Sequence, residues 1–207
     1  MSDLNKLLLD GSKQMHTKLT DTQSESLVNY IELIIKWNKT YNLSAIRNPS
    51  EGIKKHLLDS LSILPFINDR PLLDVGSGAG LPGIVIAIMN PEILVSVLDS
   101  VGKKCHFMQF VKSQLCIKNL NVLNYRVEEY TTSNCFGQIT SRAFAGVDKT
   151  INLTKHLLCS DGHYILMKGE RFEQENIEGL SITKHKISVP YVSDDRYVLQ
   201  INRQQIQ

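Results

Sequence analysis

Residues 72–83 read Leu-Leu-Asp-Val-Gly-Ser-Gly-Ala-Gly-Leu-Pro-Gly and pass from a short β-prone run through a glycine-dense turn into the apolar stretch 84–89. Such a turn lets the backbone double back sharply and approach a ligand closely, and Pro82 suits the first turn of the helix that follows. The segment therefore predicts a strand–turn–helix unit of a doubly wound α/β domain, with a ligand at the carboxyl end of its first strand. The next β-prone run, 94–98, leads into Asp99. That position, roughly 20 residues past the glycines, is where a carboxylate accepts hydrogen bonds from ribose hydroxyls.

Two ligands fit this pattern. Gly78-Ala79-Gly80-Leu81-Pro82-Gly83 satisfies the dinucleotide-binding G-x-G-x-x-G, which keeps an NAD-dependent oxidoreductase open. Asp74, two residues before the first glycine, favours S-adenosylmethionine, because an acid there can meet that donor's cationic amino-acid end and is a poor neighbour for a pyrophosphate. No Tyr-x-x-x-Lys or similar hydride-transfer acid follows at a telling position.

The rest of the chain fits an α/β reading. Residues 1–65 carry apolar residues at helical spacing: Leu4, Leu7 and Leu8, then Leu27, Ile31, Ile34 and Ile35 behind a cap at Asp21 or Thr22, then Ile53, Leu57, Leu58 and Leu61 behind a cap at Ser50. From Pro71 onward the β-prone runs are 72–75, 94–98, 121–123, 138–141, 163–167, 182–189 and 197–201. The last two are separated only by the turn-like Ser193-Asp194-Asp195, which predicts a closing antiparallel hairpin. The expected fold is a Rossmann-like class I S-adenosylmethionine-dependent methyltransferase fold. Its sheet is seven-stranded and mainly parallel, a helical cap covers 1–65, and the methyltransferase domain covers 66–207 as one unit.

Composition excludes several other classes. At 207 residues, 42% hydrophobic and 21% charged, the chain can bury a sizeable core. It has no apolar run long enough to span a bilayer and no leader-like opening. A soluble cytoplasmic protein with no membrane partner is expected. Cys105, Cys116, Cys135 and Cys159 are too widely spaced for a CxxC pair and no His is placed to complete a zinc-type signature with them, so no metal is expected and all four are read as free thiols. The formal charge of +2 neither demands nor excludes a nucleic-acid partner.

The target atom is approached through the fourth strand, whose end reads Ile139-Thr140-Ser141-Arg142-Ala143-Phe144-Ala145. It lacks an Asn-Pro-Pro-Tyr segment for exocyclic amines and a cysteine placed for pyrimidine C5 attack; Cys135 precedes the strand and is read as packing. The missing machinery suits an atom that is already nucleophilic, such as guanine N7, where alignment and electrostatics carry catalysis.

The ordered motifs Trp37-Asn38-Lys39, Tyr41-Asn42-Leu43, His56-Leu57-Leu58-Asp59-Ser60, Asp74 to Gly83, Leu98-Asp99-Ser100, Gly102-Lys103-Lys104, Arg126-Val127-Glu128, Ser141-Arg142-Ala143-Phe144 and Lys168-Gly169 resemble the RsmG (GidB) family. The resemblance implies an enzyme that methylates N7 of a guanosine in 16S rRNA, position 527 in conventional rRNA numbering. It implies that Gly76 and Leu81 contact S-adenosylmethionine, that Asp99 takes the ribose, and that Val127 and Glu128 flank the adenine; Asp74 and Gly78 are cofactor candidates from their own places in the loop. Arg142 falls on the family's cofactor-site arginine and can equally face RNA. The family's usual Gly-Glu-Arg before the last strand reads Asp194-Asp195-Arg196 here, and a basic C-terminal extension is missing, so the resemblance carries the cofactor site over but not RNA contacts at that end.

Candidate RNA contacts are Lys36, Lys39, Arg47, Lys54 and Lys55 in the helical cap with Lys103 and Lys104 beyond the second strand. Tyr41 and Phe144 are candidates to stack on an extruded guanine, whereas Trp37 is read as a core anchor. His56 and Asp59, three apart, share a helical face and are catalytic candidates beside Arg142, although a cap-stabilising hydrogen bond accounts for them equally well. The expected partner is 16S rRNA, in the small ribosomal subunit or an assembly intermediate, bound by a monomer. A non-catalytic ribosome-assembly factor with this fold is the remaining alternative.

Overall fold

The computed structural model of the protein describes residues 2–170, 172 and 181–206. Three glycines of the turn, Gly76, Gly78 and Gly80, have positive φ, so the chain leaves β1 (Leu72–Val75) in a conformation closed to most side chains before entering α5 (Gly83–Met89). Pro82 is the residue before this helix rather than part of its first turn. β2 (Val95–Asp99), α6 (Gly102–Gln114), β3 (Leu120–Asn124), β4 (Phe136–Arg142), α7 (Val147–Thr154), β5 (Leu158–Gly169), β6 (Thr183–Ile187) and β7 (Arg196–Asn202) follow. The strands form one seven-stranded sheet in the order β3-β2-β1-β4-β5-β7-β6. Its first five members are parallel and β7 is antiparallel to both β5 and β6. The order reverses direction at β1 and β4, the point where an open parallel sheet leaves a crevice at its carboxyl edge.

Ahead of the sheet come α1 (Asp3–Gln14), α2 (Asp21–Tyr41), α3 (Pro49–Gly52), a π-helical turn (Ile53–Leu58) and α4 (Asp59–Leu61). Two expected caps shift. Thr20, not Asp21 or Thr22, caps α2, because Thr20 has Gln23 three residues on and the two side chains bond each other's backbone N–H reciprocally. Asn48, not Ser50, caps α3, its Oδ1 accepting from Ser50 N and Glu51 N while Pro49 fills the first helical position, where no N–H is needed.

A buried cluster on one face of the sheet joins Leu27, Ile31 and Ile34 of α2 and Leu57 and Leu61 of the following turns to Ile84, Val97, Phe107 and Val198. On the other face Leu73, Val75, Ile139, Leu166 and Leu199 pack under Val147 and Ile151 of α7. The cysteine expectation fails at two positions. Cys135 and Cys159 form a disulfide, while Cys105 and Cys116 are free. The pair flanks Phe136 and Leu158, which are partners across the β4–β5 ladder. Pairing of those strands brings the two Cα atoms to 5.0 Å despite a sequence separation of 24.

Candidate functional site

The glycine loop is pinned from both sides. Gly76 N and Ser77 N donate to Leu98 O at 2.8 and 3.1 Å, which ties the loop to the end of β2. Gly78 N donates to Asp99 Oδ2 at 2.9 Å, and the Tyr30 hydroxyl of α2 donates to Ala79 O at 2.7 Å. A Cβ on Gly76 would strike the Phe144 ring, whereas one on Gly78 would project into open space with nothing within 4 Å. The floor above Gly78 is thus a cradle that only a glycine leaves clear.

Asp74 lies beneath the loop: it is wholly buried, and its Oδ2 accepts from Gly83 N at 2.9 Å while its Oδ1 has no partner among the described residues. Burial raises its carboxyl to about 7, against the lowering effect of the Gly83 N–H. Asp74 thus braces the start of α5 from beneath the loop.

Three spaces open along the carboxyl edge of the sheet. The first, ≈ 380 Å³, is walled by Gly76, Asp99, Tyr125, Val127, Glu128 and Phe144. Asp99 is already held there, its Oδ1 by Val101 N at 2.9 Å and its Oδ2 by Lys104 Nζ at 3.4 Å as well as by Gly78 N. The second, ≈ 240 Å³, lies over the loop between Gly78, Leu81, Ser44, His56, Lys104 and Arg142. The third, ≈ 560 Å³, lies toward β5 and β7 between Asp59, Arg142, Phe144, Lys168, Arg196 and Tyr197. Ala143 lines all three, and its positive φ of 53° turns the chain off β4 between Arg142 and Phe144. A non-glycine residue held there is the kind of backbone strain that surrounding structure must enforce.

Arg142 is the hub. Its Nη1 donates to Lys55 O at 3.2 Å and Asp59 Oδ2 at 3.1 Å, and its Nη2 lies 3.3 Å from His56 Nδ1. His56 Nε2 lies 2.7 Å from Ser44 Oγ. His56 Nδ1 lies between a donor, Arg142 Nη2, and an acceptor, Lys55 O at 3.2 Å, while Nε2 faces a hydroxyl that can donate or accept, so the ring is engaged at both nitrogens in either tautomer. Burial, with the adjoining Arg142 charge, lowers His56 to about 4, so the ring is neutral near pH 7. The buried Asp59 takes a second cation, with Arg196 Nε on its Oδ1 at 3.2 Å. The π-helical turn that ends at Leu58 widens the helix just where His56 and Asp59 face the cavity.

The expected residues divide accordingly. Gly76, Gly78, Leu81, Asp99, Val127, Glu128, Arg142, His56, Asp59, Phe144, Lys55 and Lys104 line one or more of the three spaces. Lys54 and Lys55 both pair with Glu51, at 3.1 and 3.3 Å, which occupies two of the candidate RNA lysines. Tyr41 and Lys103 are exposed and line none of the three; Tyr41 stacks on Trp37 with centroids 5.2 Å apart. Trp37 also packs against Phe107 and Phe110, as a core anchor should. Arg196 and Tyr30 were not singled out as site residues. Arg196 had a signal in its place at the head of the last strand; Tyr30 had none beyond its helical spacing. Among the described residues no group of His, Cys, Asp or Glu is arranged to hold a metal, and no helix is long and apolar enough to cross a membrane.

The family whose sequence profile matches residues 23–198 is GidB, rRNA small subunit methyltransferase G. The chain is 57% identical to the ribosomal RNA small subunit methyltransferase G of Ruthia magnifica over 96% of its own length and 97% of the relative's. It is 42% identical to the protein of the same name from Ectopseudomonas mendocina, over 95% and 94%. In fold it is similar to M. jannaschii TYW2, solved in complex with AdoMet, with a TM-score of 0.53 at 14% identity over 70% of this chain and 71% of that one. With 176 consecutive positions matched by one family profile and near-complete coverage of its relatives, the chain belongs to the rRNA small subunit methyltransferase G family.

Proposed function

We propose that the protein transfers a methyl group from S-adenosylmethionine to N7 of a guanosine in 16S rRNA. The observation that carries this reading is the arrangement of the cavities: a glycine-floored space with Asp99 and Glu128 adjoins a cationic one with Arg142 and Arg196, across Ala143 and Phe144. The open cradle at Gly78 and the acids at 99 and 128 fit an adenosine-bearing donor. Gly76 and Gly78 would pass beneath it, Asp99 would meet the ribose hydroxyls, and Val127 with Glu128 would flank the adenine. When bound, S-adenosylmethionine supplies an electrophilic methyl on a sulfonium.

Guanine N7 has a lone pair and no proton to lose, so the protein's task is to orient the base and exclude water. His56 suits that requirement: a neutral ring engaged at both nitrogens positions Arg142 rather than taking a proton. Phe144, on the wall between the donor and cationic cavities, is placed to bear on a base drawn out of its stack. The protein acts in this reading as a monomer, and a 16S rRNA substrate implies a cytoplasmic protein that meets small ribosomal subunits or their assembly intermediates.

The test is transfer of labelled methyl from S-adenosylmethionine to small subunits lacking the modification, beside deproteinised 16S rRNA, with nucleoside analysis. Label in 7-methylguanosine is expected. Label in another nucleoside would overturn the N7 assignment, and no label on either substrate despite donor binding would favour a non-catalytic assembly factor.

A further inference from the structure

The third cavity contains more fixed cationic structure than holding a base requires. Arg142 comes from the end of β4 and Arg196 from the start of β7, and the two are brought together by a single carboxylate, Asp59, which lies 3.1 Å from one and 3.2 Å from the other. Asp59 is 5% exposed, so its charge is fully committed to these partners. Both guanidinium groups are also held at their far sides. Lys55 O and His56 Nδ1 fix Arg142, and Asp195 O at 3.3 Å with Asp194 Oδ2 at 3.5 Å fixes Arg196.

Donor counting shows what is left over. A guanidinium has five N–H groups. Among the described residues, the bonds above leave Arg142 its Nε–H and one Nη2–H, and leave Arg196 one N–H on each Nη. The two cations share one buried anion; the second carboxylate, Asp194, meets Arg196 at 3.5 Å from an exposed position that water screens, so the pair keeps cationic character toward one phosphodiester. Planar forks offering paired N–H groups match phosphate oxygens better than a point charge does. Lys168, whose Nζ donates to Ala145 O at 2.8 Å, adds a further cation to the same wall.

We propose that Asp59 is a positioning residue that holds Arg142 and Arg196 as a two-guanidinium cradle for one phosphodiester of the RNA, next to the nucleotide presented to the donor. The inference rests on the RNA methyl transfer proposed above. By fixing the cradle, Asp59 sets how far the RNA backbone enters and therefore where the base stands relative to Phe144. Its own negative charge opposes RNA binding, so the positioning role and a simple electrostatic role predict opposite signs for its removal.

The full chain carries the test, with Asp59→Asn, Arg196→Gln and Arg196→Lys compared with wild type. Turnover is measured on the rRNA substrate, affinity for a fluorescent RNA hairpin by anisotropy at several salt concentrations, and donor affinity by calorimetry. For Asp59→Asn we expect turnover to fall at least 30-fold while RNA affinity stays within threefold or tightens and donor affinity stays within twofold. For Arg196→Gln, RNA affinity should fall about tenfold and the slope of log affinity against log salt should lessen by about 1. Arg196→Lys keeps the charge and loses the fork, so it should keep the slope and lose turnover.

Unchanged turnover in Asp59→Asn, or a loss matched by lost donor binding, would overturn the positioning role; an unaltered salt slope in Arg196→Gln would overturn the cradle. If Asp59→Asn does not fold, the two Arg196 variants decide alone. A wild-type protein that methylates no rRNA would sink the proposed activity instead, and the anisotropy series would still decide the cradle.

Discussion

Asp74 and His56 carry opposite pH signatures. The folded Asp74 carboxyl titrates at about 7 and the unfolded one near 3.8, so between those values the folded state holds a proton that the unfolded state has released. Stability from this group is therefore lost as pH rises from about 4 to about 7, at up to about 1.4 kcal/mol per pH unit. His56, lowered from 6.5 to about 4, does the reverse: acidification through that window protonates only the unfolded chain, and stability is lost as pH falls. Asp74→Asn removes the first slope and exposes the second, so the variant's denaturation midpoint should climb with pH between about 4 and 6.5, as a urea titration series would measure. Gly78→Ala makes a different demand. The methyl meets no protein atom but forces φ = 62° on a side-chain-bearing residue, at roughly 1 kcal/mol, and it fills the cradle. The variant should fold and lose at least tenfold in S-adenosylmethionine affinity by calorimetry; retained affinity would move the donor off this loop.

At the scale of elements, the centre of the sheet was legible because β1 and β2 are short, wholly buried runs rich in Val and Leu, and burial on both faces rewards such runs. Caps were less legible. Asp21, Thr22 and Ser50 are all acceptable capping types; Thr20 is selected by its reciprocal bond with Gln23, and Asn48 by accepting from two backbone N–H groups ahead of Pro49. Contacts between distant elements were least legible: Arg196 meets Asp59 across 137 positions of sequence, and Cys135 meets Cys159 only because β4 and β5 pair. The division at residue 65 is tested here too. Leu27, Ile31 and Ile34 of α2 share one buried cluster with Ile84 and Phe107 of the sheet's own helices. A chain beginning at residue 66 would expose that cluster, each Leu or Ile uncovered costing about 1.5–3 kcal/mol. We expect it to be insoluble or to lack a cooperative thermal transition, in contrast to the full chain.

For the whole molecule, the family's chemistry was legible because its motifs sit in order along the chain, whereas the joining of three cavities at one strained alanine was not, since nothing in Ser141-Arg142-Ala143-Phe144 announces a left-handed residue. That corner has a thermodynamic consequence. A ligand that settles Ala143 and Phe144 from the donor side does so for the RNA side as well, and the ordering it has done need not be repeated by the second arrival. Donor and RNA should then bind with positive cooperativity, each raising the other's affinity by the same factor. Saturation with S-adenosylhomocysteine should tighten hairpin RNA severalfold by anisotropy, and equal affinities with and without it would rule the coupling out. The same reciprocity requires bound RNA to tighten the spent donor by the same factor, so that after transfer each product raises the other's occupancy of the site.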